Sequence, residues 1–485
     1  MALILFALFV DQLMIRLDFT HIMEAWMKKL SPIDVSFLTF ESAETPMHIA
    51  NLQIYSLPKN AGENYIKDLT DSLRDVPELA SPFNRVLSIP YPKIKFPKWL
   101  KAENVDMHYH IRHVAVPKPG NDENLHTLVS LIHSQSLDRT RPLWEVYVIE
   151  GLENNRFAML FKIHHACIDG VGGMRLMQAS LSTTKGKNTF QVPWQKSMKK
   201  EIKRVRKSSF YNFINPVYSE LSKQVKTIPG IIKVLSRMSL VGVRTSHPSL
   251  LPYTAPNSLF NREISNQRNY AITSLPLERV KALSKQSQST INDVSVALCS
   301  SAIRRYLLET NSLPNKSMIA QLPVSVRAAD SESAGNQFGV ILCDMATTKE
   351  NTAECLQVIT KSTHKAKAYL ASLSSGGLQN LTALIMAPFS ISQILGITSK
   401  IKPAFNMLIS NVPGPKSALY LNDAKLEAFY PLTLLFQGSA ISLVITSYDE
   451  SLNFSITGCK DIVPDINRMT GYINEAFKEL EVSLK

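Results

Sequence analysis

The sequence predicts an α/β fold built as two lobes. Three observations carry that expectation. Strand-like and helix-like stretches alternate along both halves of the chain. A basic segment with weaker patterning, residues 183–262, lies between the halves. With 485 residues, 45% of them hydrophobic and 19% charged, the chain is long enough for two cores. It is too apolar for disorder and too evenly mixed for a polytopic membrane protein.

The elements follow in order. The first 19 residues, MALILFALFVDQLMIRLDF, open on an apolar run that ends at Asp11. That is about half of the ~20 residues a spanning helix needs. The run lacks the basic start and small-residue cleavage site of a signal peptide. Met27 opens MKKLSPIDVSF, so residues 1–26 are read as an extension: a mis-assigned start in preference to an interfacial anchor. No other run is long enough to cross a bilayer.

The first lobe is expected over 27–182. MHIANLQIYSL (47–57) alternates like a strand, and 64–77 has helical spacing with Ile66, Leu69 and Leu73 on one face and Pro77 as the stop. VDMHYHIRHVAVP (105–117) alternates again, and 123–137 is an amphipathic helix. PLWEVYVIEGL (142–152) and RFAMLFKIHHACID (156–169) read as strands flanking a hairpin turn at Glu153-Asn154-Asn155. A helix opens after the glycines that follow.

Residues 183–262 form the basic crossover, with a helical stretch near 210–240. The second lobe, 263–485, begins with a strand and a helix at 268–286. A longer helix at 290–310 has Val294, Ala297, Leu298, Ser301 and Leu308 at core spacing. Strands follow at 316–327 and 335–345, then helices at 350–372 and 376–396. A buried strand at 405–416 breaks at Pro413-Gly414-Pro415. A hairpin at 440–463 turns at Asp449-Glu450-Ser451, and a final helix closes the chain.

Charge and cysteine usage narrow the function. The net charge is +13 and the isoelectric point about 9.3, which suits an anionic partner: nucleic acid, a phospholipid surface or a phosphate-bearing cofactor. Residues 185–207 carry Lys185, Lys187, Lys196, Lys199, Lys200, Lys203, Arg204, Arg206 and Lys207 against the single acid Glu201. A solvated linker explains such a run as well as a binding site does. Nucleic acid is disfavoured, because no helix-turn-helix, zinc-finger or RNA-recognition signature is present. The five cysteines, Cys167, Cys299, Cys343, Cys355 and Cys459, are scattered without a CxxC pair. They argue against a disulfide framework or structural zinc and for a reducing compartment.

The stretch FKIHHACIDGVGG (161–173) carries the candidate chemistry. Metal binding needs converging ligands, but adjacent residues on a strand face opposite ways, so His164 and His165 are poorly placed to share an ion. A second reading is a core histidine pair beside glycines that turn the chain. A third has one histidine supporting from inside while the other enters a cleft as general base, its pKa of ~6.5 suiting that role. Asp169 would then act on the imidazole or brace the loop by pairing with an arginine. Cys167 reads as packing, with no identifiable oxyanion donors beside it. No G-x-S-x-G elbow exists for a serine hydrolase.

HHACIDG fits the HHxxxDG pattern of the acyl-CoA-dependent acyltransferase superfamily, which includes chloramphenicol acetyltransferase and peptide-synthetase condensation domains. LSPIDVSFLTFESAETPMHIANL (30–52), RTRPLWEVYVIEGL (139–152), INDVSVAL (291–298), LPVSVR (322–327), GNQFG (335–339) and SNVPGP (410–415) stand in the rest of the chain. Together they resemble the bacterial wax ester synthase/diacylglycerol acyltransferase family, from about Leu30 to Asp465. The resemblance implies two chloramphenicol-acetyltransferase-like lobes with an active-site tunnel between them. It implies transfer of a fatty acyl group from acyl-CoA, a substrate, to a long-chain alcohol or to diacylglycerol, with no metal or other cofactor.

On that reading His165 is the general base, His164 its support, Asp169 a loop brace paired with Arg85 or Arg141, and Asn292 a candidate oxyanion donor that could instead cap its helix. Gly170 gives the turn after the motif. Pro142, Leu143, Trp144, Asp293 and Asn411 are substrate-contact candidates, with core or tunnel wall as the alternative and a structural role favoured for Asp293. The basic crossover would hold CoA phosphates or anionic lipid headgroups. The expected place is cytoplasmic, peripheral to the inner face of the membrane or to lipid inclusions. The rivals are a non-catalytic lipid-binding or droplet-associated protein of this fold and a condensation-type enzyme using carrier-protein thioesters.

Overall fold

The computed structural model describes residues 28–30, 32–88, 97–168, 170–186, 192–195, 253–325, 338–371, 386 and 389–485. The N-terminal extension 1–26 and most of the basic crossover lie outside the described residues.

In chain order the first half runs β1 (Lys28–Lys29), α1 (Pro32–Phe40), β2 (His48–Ser56), α2 (Tyr65–Arg74), β3 (Arg85–Leu87) and β4 (Lys98–Lys101). It continues with α3 (Met107–His110), β5 (Ile111–Ala115), α4 (Asp122–Ser134), β6 (Trp144–Leu152), β7 (Arg156–His164) and α5 (Gly170–Ser180). The second half runs β8 (Arg268–Pro276), α6 (Leu277–Gln286), α7 (Ile291–Glu309), β9 (Ile319–Ser325), β10 (Phe338–Asp344) and α8 (Thr352–Ala371). Then come β11 (Met407–Val412), β12 (Tyr420–Leu421), β13 (Ala424–Leu432), β14 (Ile441–Tyr448), β15 (Ser451–Cys459) and α9 (Arg468–Ser483).

Periodicity forms most of these elements as expected. α2 buries Ile66, Leu69, Thr70 and Leu73 on one stripe. The β6–β7 hairpin turns through Asn154 and Asn155, both at positive φ, which asparagine tolerates better than most residues. Two expectations are corrected. Residues 105–117 are not one strand: Asp106 caps a short helix by accepting from the backbone N–H groups of His108 (3.0 Å) and Tyr109 (3.2 Å), and β5 starts only at Ile111. In α7, Leu308 faces outward and Leu307 is buried. That helix is buried on all sides as far as Ile303, so only its last turns choose a face.

The strands assemble into two six-stranded sheets, ordered β12-β13-β2-β7-β6-β5 and β10-β9-β11-β14-β15-β8, and a small three-stranded one, β1-β4-β3. The second half is therefore not a single undivided lobe. β13 leaves it and pairs antiparallel with β2, Leu432 opposite Ala50 and Tyr430 opposite Leu52. This covers a sheet edge that β2 would otherwise expose. Helix α4 packs between the first sheet and β8, where Leu125, Val129 and Ile132 share one core with Tyr270 and Tyr430. Polar bonds cross the same boundary: Arg268 N to Ser134 Oγ at 2.9 Å and the His133 ring to the Thr433 carbonyl at 3.1 Å. Four helices, α6 to α9, close the second sheet over the largest core.

Candidate active site

Central strand β7 delivers the paired histidines, but it ends at His164, short of the strand expected to run to residue 169. The turn is closed locally. Cys167 N donates to the His164 carbonyl at 2.9 Å, and Ala166 N donates to His164 Nδ1 at 3.1 Å. The two imidazoles are thus separated by the end of the strand rather than by alternation along it.

His164 is fully buried. Its backbone N–H reaches Leu143 O at 2.9 Å, and its Nε2 lies 3.5 Å from Glu41 Oε1. His165 is half-buried; its N–H donates to Met47 O at 2.9 Å, and its ring stacks on Phe37 at 4.1 Å with 21° between planes. Glu41 accepts from Met47 N at 3.1 Å and from Arg139 Nε at 2.7 Å. Burial by itself would raise the Glu41 carboxyl. The His164, Arg139 and Met47 contacts outweigh it and hold the group down at about 2.

The polar tract continues across this sheet face. Lys162, two residues before His164, is buried, donates to Ile132 O at 3.0 Å and lies 3.6 Å from Glu145 Oε2. Burial lowers its ammonium to about 8 despite that partner. His48 meets His133 Nδ1 at 3.2 Å, and burial depresses both rings, His133 to about 3.

Pro142, Leu143 and Trp144 are core residues beneath the turn. Leu143 packs with Leu38, Leu87, Trp99, Leu137 and Ala166. Trp144 donates to Phe83 O at 2.9 Å and stacks on His110 and Trp194. Cys167 packs against the same cluster, and burial raises its thiol far above the range of a working nucleophile. Gly170 makes no left-handed turn: it is the exposed first residue of α5, where an added Cβ would meet nothing within 4 Å.

Asp169 lies outside the described residues. Of its two expected partners, Arg141 is engaged elsewhere, 3.5 Å from Asp138, 4.0 Å from Asp106 and over the Tyr109 ring.

The second lobe supplies a different cluster. Thr290, not Asn292, caps α7. Asn292 Oδ1 accepts from Asn411 Nδ2 on β11 at 3.2 Å, and among the described residues nothing accepts from its own Nδ2. Asp293, by contrast, is fully buried and committed to structure, its oxygens taken by Thr290 N (3.0 Å), Thr290 Oγ1 (2.7 Å) and Thr363 Oγ1 (2.7 Å). After Asn411 the chain needs Gly414, because a Cβ there would overlap the Ser447 carbonyl oxygen.

The loop before β2 ties the histidine turn to the second lobe. Phe40 meets Phe436 edge-on at 6.4 Å, and Arg268 donates to Glu44 O at 2.9 Å. Glu41, Phe37 and Arg139 were not singled out by motif reading. The available signal was an acid one helical turn after an aromatic residue, in a segment otherwise apolar enough to be core. Among the described residues no group of three or more His, Cys, Asp or Glu side chains could hold a metal ion, and no helix is long and apolar enough to cross a membrane.

Residues 30–295 match the wax ester synthase/diacylglycerol acyltransferase catalytic domain, and residues 334–481 match the C-terminal domain of the same proteins. The chain is 36% identical to an O-acyltransferase of Acinetobacter baylyi over 94% of its own length and 97% of that protein's. It is 34% identical to a probable diacylglycerol O-acyltransferase of Mycobacterium tuberculosis, over 94% and 99%. Its fold superposes on the wax ester synthase/diacylglycerol acyltransferase of Marinobacter aquaeolei with a TM-score of 0.78 and 32% identity, covering 94% of this chain and all of that one.

Proposed function

Because the chain belongs to the wax ester synthase/diacylglycerol acyltransferase family and is an acyltransferase of lipid metabolism, we propose that it transfers a long-chain acyl group from acyl-CoA to the hydroxyl of a long-chain alcohol, of diacylglycerol, or of both. The reading rests on one observation above all: His165 is presented half-buried on a closed turn, its ring against Phe37, while His164 is buried behind it.

The chemistry is direct transfer. The acceptor hydroxyl is too weak an acid to ionise first, so His165 takes its proton as the oxygen attacks the thioester carbonyl. A C–O bond forms, and the tetrahedral intermediate carries its charge on the former carbonyl oxygen. Asn292 Nδ2 is the donor assigned to that oxyanion, with Asn411 holding the amide's other end. The intermediate collapses with loss of the CoA thiolate, which recovers the proton from the imidazolium. No acyl-enzyme is required, in keeping with the buried, unreactive Cys167 thiol.

His164 is a support, and Asp169 a loop brace with Arg85 or Arg141 as its partner. The two substrates enter a tunnel between the lobes from opposite sides. Pro142, Leu143 and Trp144 back the histidine turn from the core instead of contacting substrate. Both substrates are greasy, so the enzyme works at a membrane or lipid-inclusion surface on the cytoplasmic side, with the basic crossover facing anionic headgroups.

Radiolabelled palmitoyl-CoA offered together with hexadecanol and diacylglycerol, with the products separated, tests the reading. His165→Ala, still folded, should lose about 10²- to 10⁴-fold in turnover. Native turnover in that variant would end the base assignment. A wild-type chain that acylates neither acceptor would favour a non-catalytic lipid-binding role.

A further inference from the structure

The motif places two histidines together but does not say what holds them. We infer that Glu41, at the end of α1, is the positioning residue for the His164–His165 turn, gripping it through His164 on one side and through Met47 on the other. The inference rests on the reading of His165 as base.

Two contacts lead from one carboxylate towards the turn, and a third fixes its direction. First, His164 Nδ1 accepts the Ala166 N–H at 3.1 Å, so that nitrogen carries no proton. The ring's proton therefore sits on Nε2, which lies 3.5 Å from Glu41 Oε1. An anionic partner at that point favours this tautomer over the alternative, and the tautomer in turn keeps the lone pair that closes the turn. Second, the same Oε1 accepts Met47 N at 3.1 Å, and the Met47 carbonyl accepts the His165 N–H at 2.9 Å. Third, Arg139 takes Oε2 with Nε at 2.7 Å and fixes the direction of the carboxylate.

α1 also supplies the ring support. Glu41 N donates to Phe37 O at 3.1 Å, so the two residues are one helical turn apart on one face. Phe37 stacks on the His165 ring while Glu41 holds the residue before it. One short helix thus sets both the ring plane and the backbone of the base. The loop that follows is pinned by Arg268 of the second lobe through the Glu44 carbonyl.

Glu41 touches neither reacting group, so it should act on turnover and not on substrate affinity. Glu41→Gln keeps the volume but cannot satisfy His164, Met47 and Arg139 together. We expect kcat to fall about 10- to 100-fold, the cost of a slightly displaced reactive group, while KM for palmitoyl-CoA stays within about twofold.

NMR of ¹⁵N-histidine-labelled protein reads the mechanism directly, with His164 signals assigned by their absence from His164→Gln. Wild type should show His164 as the Nε2–H tautomer, and Glu41→Gln should lose that single state. A wild-type Nδ1–H tautomer would overturn the inference, even if Glu41→Gln failed to fold. So would a folded Glu41→Gln with native kcat and unchanged His164 signals. The base assignment fails by a different result, native turnover in His165→Ala, whatever the His164 signals do.

Discussion

Replacing Asp293 by alanine separates a residue that holds the fold from one that touches substrate. The side chain is fully buried at the N-terminus of α7. It completes a capping box with Thr290, accepting from Thr290 N at 3.0 Å and Thr290 Oγ1 at 2.7 Å, and reaches across to α8 through Thr363 Oγ1 at 2.7 Å. Thr290 stays as the cap, and losing the reciprocal half of the capping box, the Thr290 N–H bond to the carboxylate, costs about 1 kcal/mol. Each hydroxyl bond to a buried charged acceptor contributes about 1.5 kcal/mol at the low end. Thr363 keeps a fallback acceptor in Thr360 O at 3.2 Å, which trims the loss on that side. The expected destabilisation is therefore about 3 kcal/mol for Asp293→Ala. Asp293→Asn, which keeps the shape and one acceptor, should lose about half of that. Denaturant unfolding followed by fluorescence, beside steady-state kinetics at 20 °C on the surviving folded enzyme, measures both consequences. The reasoning requires lower stability with near-native KM for both substrates. An alanine variant of native stability whose KM for acyl-CoA rises tenfold would refute it and make Asp293 a substrate contact.

Three further outcomes are expected. Asn292→Ala should lower kcat by about 10²- to 10³-fold, the range for losing one oxyanion donor, with little change in KM; a native kcat would move the donor elsewhere. Burial lowers the Lys162 ammonium from 10.5 to about 8, so the unfolded chain keeps a proton that the folded chain releases. The stability of wild type relative to Lys162→Met should thus be flat below pH 8 and rise from pH 8 towards 10.5. A difference that does not change over that window, followed by denaturant midpoints, contradicts the assignment. Changing Lys199, Lys200, Lys203 and Arg204 to glutamine should weaken binding to phosphatidylserine vesicles by about 1 kcal/mol per charge; unchanged sedimentation with vesicles would remove the case for a surface-binding crossover.

Much of this architecture could be read from pattern because it depends on local physics. The stripe of Ile66, Leu69 and Leu73, the positive-φ asparagine pair at 154–155 and the breaker at Pro413-Gly414-Pro415 each act within a few residues. Patterning fails where a local alternative competes. Asp106 turned an alternating run into a capped helix, and the Ala166 N–H bond ended β7 at His164 before the alternation argument could apply. β13 is invisible to patterning for a different reason. Its burial depends on β2, nearly 400 residues away in sequence, which no local window contains.

The sequence by itself determined the family and the two-lobed α/β class, and it pointed to the histidine pair, and away from Cys167, as the candidate for the chemistry. These are carried by motifs in order and by residue types, which survive without coordinates. Only the tertiary structure decided which imidazole is buried and which is half open, that Asp293 is spent on a helix cap, and that Pro142, Leu143 and Trp144 lie beneath the turn. It also brought Glu41, Met47 and Arg139 to the histidines. The reason is distance along the chain: Glu41 and His164 stand 123 residues apart in sequence and 3.5 Å apart in space. A contact of that kind is set by the pairing of β2 with β7, which the amino-acid order specifies only through the whole fold.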